Sequence, residues 1–265
     1  MVHRLRRNAA PLFAAASCIR AGDSYLEAMS GFGMGFDPFF MAVMVPGLLL
    51  SLWASMRVKS TFRRYSQVQS RSGYTGAEAA HELLARSGID GVRIEPVQGF
   101  LSDHYDPSVR TLRLSPDVYH GRSLAALGVA AHEAGHAIQH AHKYGPLAFR
   151  SMVVKPAMLG SNLGMVVLSI GLFAHATSMI WLGVALFSAF VLFTLVTLPV
   201  EFNASSRAVA ALVDTGIVSH DEAADAKKVL DAAALTYVAA AVSAVLQLLY
   251  FLWRAGLLGG ERRRD

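Results

Sequence analysis

Apolar residues fall into four long runs, and the polar residues between them divide the rest of the chain. Phe36 to Met56 has no charge after Asp37 and carries Trp53 near one end. About 20 apolar residues cross a bilayer core, so this run predicts a first membrane span, with Pro46 tolerated inside it. Pro156 to Ala174 and Met179 to Val200 form a second and third run, joined by His175-Ala-Thr-Ser178, which holds no Lys or Arg. Ala232 to Trp253 is the fourth. Gly160, Gly164 and Gly171 supply small residues for close packing of membrane helices.

Shorter periods predict the polar parts. Thr75-Gly-Ala-Glu78 is a capping box opening a helix that stops at Gly88, and Ser219-His-Asp-Glu222 is a second box leading through Lys227 and Lys228 into the fourth span. Val92 to Val97 alternates like a strand. Gly99 to His104 and Val109 to Leu114 read as a hairpin around Asp106-Pro107. Asp103, His104 and Asp106 are read as turn chemistry rather than a metal site. Residues 202–214 read as a short helix ending near Gly216.

Ser123 is a plausible helix cap, no Pro occurs from Leu124 to His142, and Gly145-Pro146 supplies a stop. That helix contains Ala131-His-Glu-Ala-Gly-His-Ala137. At a spacing of four, His132 and His136 stack on one face and can share one Zn²⁺, with Glu133 close enough to take a proton from the attacking water. A third ligand is needed. Glu201 is the first residue after the second and third spans, which form a hairpin returning the chain to the membrane face it left. It would complete a His₂Glu set that keeps the fourth position open for water, as hydrolytic zinc sites require. His140 lies about 12 Å along the helix from His132, too far to join it. His142 stands where an extended motif has its third ligand, but Gln139 occupies the slot where that motif turns at a Gly, so the helix should simply continue. Both histidines are expected at the surface or on the substrate side. For the oxyanion, Tyr237 and Arg207 are candidates, although Tyr237 reads more simply as an interfacial anchor.

Composition narrows the class. The 265 residues are 54 % hydrophobic and 16 % charged with positive mean hydropathy, too apolar for an ordinary soluble enzyme. The net charge of +5 sits beside the apolar runs, which points to a lipid bilayer partner and not to nucleic acid. Arg57, Lys59, Arg63 and Arg64 follow the first span, and Lys143, Arg150 and Lys155 precede the hairpin; all should be cytoplasmic. Arg254 and Arg262 to Arg264 run against that trend. Cys18 is the lone cysteine, so neither an intrachain disulfide nor a cysteine zinc site is expected.

Several blocks together resemble a known family. Met56-Arg-Val-Lys-Ser-Thr61, Thr75 to Glu78, Asp103-His-Tyr-Asp-Pro107, Ala131 to His140, Leu198-Pro-Val-Glu-Phe-Asn-Ala-Ser-Ser-Arg207 and Ala233-Ala-Leu-Thr-Tyr-Val238 occur in order, as in the bacterial YugP-type neutral zinc metallopeptidases. The resemblance spans roughly residues 38–253 and implies a membrane-bound zinc peptidase. More distantly the chain is similar to HtpX-type peptidases and CAAX prenyl endopeptidases, in which Glu-x-x-Ala-Asp follows the hairpin. Here the stretch reads Glu201-Phe-Asn-Ala204-Ser205-Ser206, with serines and no Asp, so the carboxylate that supports a zinc-binding His in those relatives is missing. By the same analogy residues 97–104 would pair with extended substrate as an added strand.

The resulting expectation is a mainly helical membrane protein of about four spans with a small α+β peptidase domain. Its parts are a poorly ordered extension (1–35), span 1 (36–56), a cytosolic-side peptidase segment (57–150), a membrane hairpin (156–200), a third-ligand segment (201–231), span 4 (232–253) and a basic tail (254–265). Expected are a plasma-membrane location, a cytoplasmic active site, zinc held by His132, His136 and Glu201, Glu133 as base, and a peptide or membrane-protein substrate. The alternative is an inactive zinc-binding scaffold or chaperone-like factor. Oligomeric state is open.

Overall fold

The computed structural model describes residues 38–256, so the N-terminal extension and most of the basic tail lie outside the described residues. Helices dominate: α1 (Pro38–Tyr65), α2 (Gly76–Arg86), α3 (Pro116–Tyr119), α4 (Leu124–Ala141), α5 (Gly145–Phe173), α6 (Thr177–Asp214) and α7 (His220–Arg254). Strands β1 (Arg93–Pro96), β2 (His104–Asp106) and β3 (Thr111–Leu114) make one sheet in the order β1-β3-β2. Four helices, α1, α5, α6 and α7, are long and apolar enough to cross a membrane. The chain divides into two compact units.

The first unit contains Met56–Tyr144 and Glu201–Ala234. Both predicted capping boxes form. The Thr75 hydroxyl accepts from the Glu78 amide at 3.2 Å while the Glu78 carboxylate accepts from the Thr75 amide at 2.8 Å. Glu222 does the same with Ser219, and its second oxygen accepts from the Arg71 amide at 2.8 Å, tying α7 to the chain after α1. β1 runs parallel to β3 and β2 antiparallel to it, with Tyr105 opposite Leu112. Leu83, Leu112, Leu114, Val118, Leu124, Leu127, Leu212 and Leu230 are buried in this unit's core. α4 is capped by Ser123, whose hydroxyl accepts from the Ala126 amide.

Several boundaries differ from expectation. Residues 97–103 are not a strand: Gly99 and Leu101 both take positive φ, a conformation that breaks a β ladder, and only His104 of the stretch joins β2. Asp103 is not turn chemistry but a buried carboxylate, accepting from the Ser115 amide at 2.7 Å with the Ser115 hydroxyl 3.0 Å away. Asp106 does make the expected turn, accepting from the Ser108 amide. Helix α4 ends at Ala141 and the chain turns away at Lys143, φ +51°, with the Tyr144 amide donating to the Gln139 carbonyl, so Gly145-Pro146 opens α5 instead of stopping α4. No separate helix covers 202–214. α6 runs unbroken through Pro199 and Glu201 to Asp214, because neither Gly nor Pro interrupts Val200 to Asp214.

The second unit contains residues 38–55, Gly145–Val200 and residues 235–256. Phe40, Leu168, Val184, Phe187, Val191, Tyr250 and Phe251 form its core. The predicted glycines let α5 and α6 approach closely: a Cβ on Gly160 would stand 2.5 Å from the Leu186 carbonyl oxygen, and one on Gly171 2.8 Å from the Ile180 nitrogen. Leu48, Leu49, Met152, Leu159, Val166, Phe173, Leu182 and Leu195 are exposed. Apolar surface on this scale suits hydrocarbon and not water.

Candidate metal centre

The motif residues lie in the middle of α4, where every side chain from Leu124 to Gln139 is buried. One turn apart on one face, the His132 and His136 rings have centroids 4.8 Å apart and planes at 87°. Glu201 sits on α6, 69 residues beyond His132. The two helices meet closely because Gly135 has no side chain: a Cβ there would lie 2.9 Å from the Ala204 carbonyl oxygen. That contact places one Glu201 oxygen, Oε2, 3.3 Å from His132 Nε2 and 3.5 Å from His136 Nε2.

These distances are long for charge-assisted hydrogen bonds, which run about 2.7–2.9 Å. They fit a shared cation better. Ligands about 2.0–2.2 Å from Zn²⁺ at tetrahedral angles stand roughly 3.3–3.6 Å apart. His132, His136 and Glu201 each offer one ligand atom, all within 4.8 Å of one another, and all three residues are at most 6 % exposed. Two neutral imidazoles and a carboxylate are a donor set that zinc accepts. Among the described residues this is the one such cluster of His, Cys, Asp or Glu. Glu133, adjacent to His132, is equally buried.

Behind the rings lie partners that sequence reasoning missed. His132 Nδ1 is 3.0 Å from the Ser205 hydroxyl, so Ser205 stands where the relatives' carboxylate was expected. Ser206 faces away and bonds the Phe202 carbonyl. His136 Nδ1 is 3.0 Å from Gln139 Oε1, and Gln139 Nε2 donates to Asn203 Oδ1 at 3.0 Å. Spacing held a signal in both cases: Gln139 is three residues after His136 and Ser205 four after Glu201, positions that share a helix face.

The remaining candidates go elsewhere. His140 Nδ1 lies 2.9 Å from the Tyr105 hydroxyl, linking α4 to β2, and His142 is exposed after the helix end. His104 bonds the Ser102 carbonyl. Arg207 donates to Asn203 Oδ1 at 2.8 Å and lies over the Tyr144 ring. Tyr237 belongs to the membrane unit. Away from the cluster, burial pushes the Asp103 carboxyl up to about 6, against the pull of its Ser115 hydrogen bonds.

Residues 40–256 match the protein family described as "Putative neutral zinc metallopeptidase". The chain belongs to this family. It is 46 % identical over 213 residues to "Putative membrane protease YugP" of Bacillus subtilis (strain 168), covering 80 % of this chain and 95 % of that one. No solved structure matches it. As a member of a zinc metallopeptidase family with four membrane-length apolar helices, the chain is a membrane protein of the hydrolase class with zinc as cofactor, and its buried His132, His136 and Glu201 are arranged as a possible site for that ion.

Proposed function

We propose that this zinc metallopeptidase hydrolyses peptide bonds at a centre in which His132, His136 and Glu201 hold the metal and Glu133 is the general base. The observation that carries the reading is the convergence of two Nε2 atoms and one carboxylate oxygen, from helices far apart in sequence, at distances a tetrahedral ion would span. When bound, zinc supplies Lewis acidity, polarising the scissile carbonyl and acidifying the attacking water. Glu133 accepts a proton from that water as its oxygen adds to the carbonyl carbon. It then delivers the proton to the leaving amine nitrogen as the C–N bond breaks. Ser205 and Gln139 hold the imidazole rings in place from their Nδ1 sides.

The substrate class is peptide, including unfolded segments of membrane proteins. The centre lies on the cytoplasmic side of the plasma membrane, on the strength of the basic residues that follow α1's apolar run and flank the start of α5. Replacement Glu133→Gln tests the reading. It should keep stoichiometric zinc and lose hydrolysis of an unfolded membrane-protein substrate by at least about 100-fold, the usual contribution of a general base. Full activity in that variant rules out Glu133 as the base; absence of hydrolysis by wild type with zinc bound favours a scaffold role.

A further inference from the structure

The hydrogen bonds behind His136 end on a residue that can only donate. Arg207 Nε lies 2.8 Å from Asn203 Oδ1, Gln139 Nε2 lies 3.0 Å from the same oxygen, and Gln139 Oε1 lies 3.0 Å from His136 Nδ1. Taken alone, each amide could be turned over, and the imidazole could carry its proton on either nitrogen, since each presents a donor and an acceptor side. A guanidinium cannot be reversed, because it has five N–H donors, no acceptor and a permanent charge. The half-buried Arg207 is further held by the Tyr144 ring, 5.9 Å from its guanidinium carbon.

Starting from that fixed end, every orientation follows. Arg207 Nε–H must meet an oxygen, so Asn203 turns Oδ1 toward it. The Gln139 group facing that oxygen must then be the NH₂. Its carbonyl is left facing His136, where only an N–H on Nδ1 satisfies it. The proton on Nδ1 leaves the lone pair on Nε2, the atom 3.5 Å from Glu201. His132 is different, because the Ser205 hydroxyl at its Nδ1 can donate or accept and imposes no tautomer. We infer that Arg207 is a positioning residue that sets the metal-binding tautomer of His136 through Asn203 and Gln139. The inference rests on His136 being a ligand, as proposed above.

The experiment uses full-length, detergent-purified protein with ¹⁵N-labelled histidine, free of metal, alongside zinc titration by chelator competition. The His136 signal is identified by its loss in His136→Ala. In wild type it should report a single tautomer protonated on Nδ1. Arg207→Met should lose that single tautomer and weaken zinc binding roughly 10- to 100-fold, the range for lost outer partners. Two conservative variants separate direction from packing: Asn203→Asp still accepts from both neighbours and Arg207→Lys still only donates, so both should keep the tautomer and near-wild-type zinc affinity. An unchanged His136 tautomer in Arg207→Met, or an equal loss in Asn203→Asp, overturns the inference. Failure of the underlying ligand reading shows separately, as His136→Ala protein that binds zinc like wild type. If Arg207→Met does not fold, Gln139→Met, which removes the carbonyl facing Nδ1, is read against the same outcomes.

Discussion

Glycine 135 gives a direct test of how the centre is assembled. In Gly135→Ala the new Cβ would stand 2.9 Å from the Ala204 carbonyl oxygen and 3.5 Å from that residue's Cα, both backbone atoms that cannot swing away. Ordinary contact begins near 3.4 Å, so α4 and α6 must part by about half an ångström. Overpacking of this kind costs about 1–3 kcal/mol, while replacing Gly by Ala inside a helix returns about 1 kcal/mol. The net loss of stability is therefore small, roughly 0–2 kcal/mol. The metal centre is hit harder. Metal–ligand distances tolerate only about 0.2 Å, and the displaced helices are the ones carrying His132, His136 and Glu201. Zinc affinity should fall by roughly tenfold or more, comparable with the loss of a supporting partner. Gly128→Ala is the matched control on the same helix. Its nearest neighbour is the Ala226 carbonyl oxygen at 3.4 Å, so the substitution fits and should stabilise α4 by up to about 1 kcal/mol without touching zinc binding. Chelator competition gives zinc affinity, and thermal unfolding of the metal-free protein gives stability. Wild-type zinc affinity in Gly135→Ala would refute the claim that this contact sets the ligand geometry.

Other outcomes follow from the same geometry. Burial raises the Asp103 carboxyl to about 6 from an ordinary value of 3.8, so between those values the folded protein holds a proton that the unfolded chain has lost. The contribution of Asp103 to stability is fullest below about pH 4 and falls as pH rises to about 6, by an amount on the order of 3 kcal/mol. Asp103→Asn should remove that slope and raise the melting temperature at pH 7 relative to wild type; a slope that survives the substitution assigns it to another group. Ser205→Ala removes the contact to His132 Nδ1 and should weaken zinc binding about tenfold. Ser206→Ala, whose hydroxyl bonds only a helix carbonyl among the described residues, should leave it unchanged; equal effects on both would deny Ser205 its supporting role.

Much of this arrangement is written locally in the chain. Four apolar runs mark the membrane helices, the Thr75 and Ser219 boxes mark two helix starts, and His132, His136 and Glu201 meet as spacing and the hairpin suggested. What was not legible depends on tertiary register. Residues 99–104 read as one arm of a hairpin, but positive φ at Gly99 and Leu101 leaves only His104 of that arm in a strand. Asp103 looks like a turn residue until the fold buries it against Ser115. The run past Glu201 seemed to need a break at the membrane boundary, yet a helix needs none where polar and apolar faces simply change solvent. Ser205 became visible as the partner of His132 only once Gly135 had set how closely α6 settles on α4, whereas Gln139 reaches His136 along the same helix.

The most direct measurement is the zinc content of detergent-purified wild type beside Glu201→Gln. One zinc per wild-type chain, lost in the variant while its melting temperature without metal is kept, is the result expected if the ion is shared between α4 and α6. Full zinc in Glu201→Gln would contradict this, placing the third ligand elsewhere and leaving the convergence of His132, His136 and Glu201 without its proposed purpose.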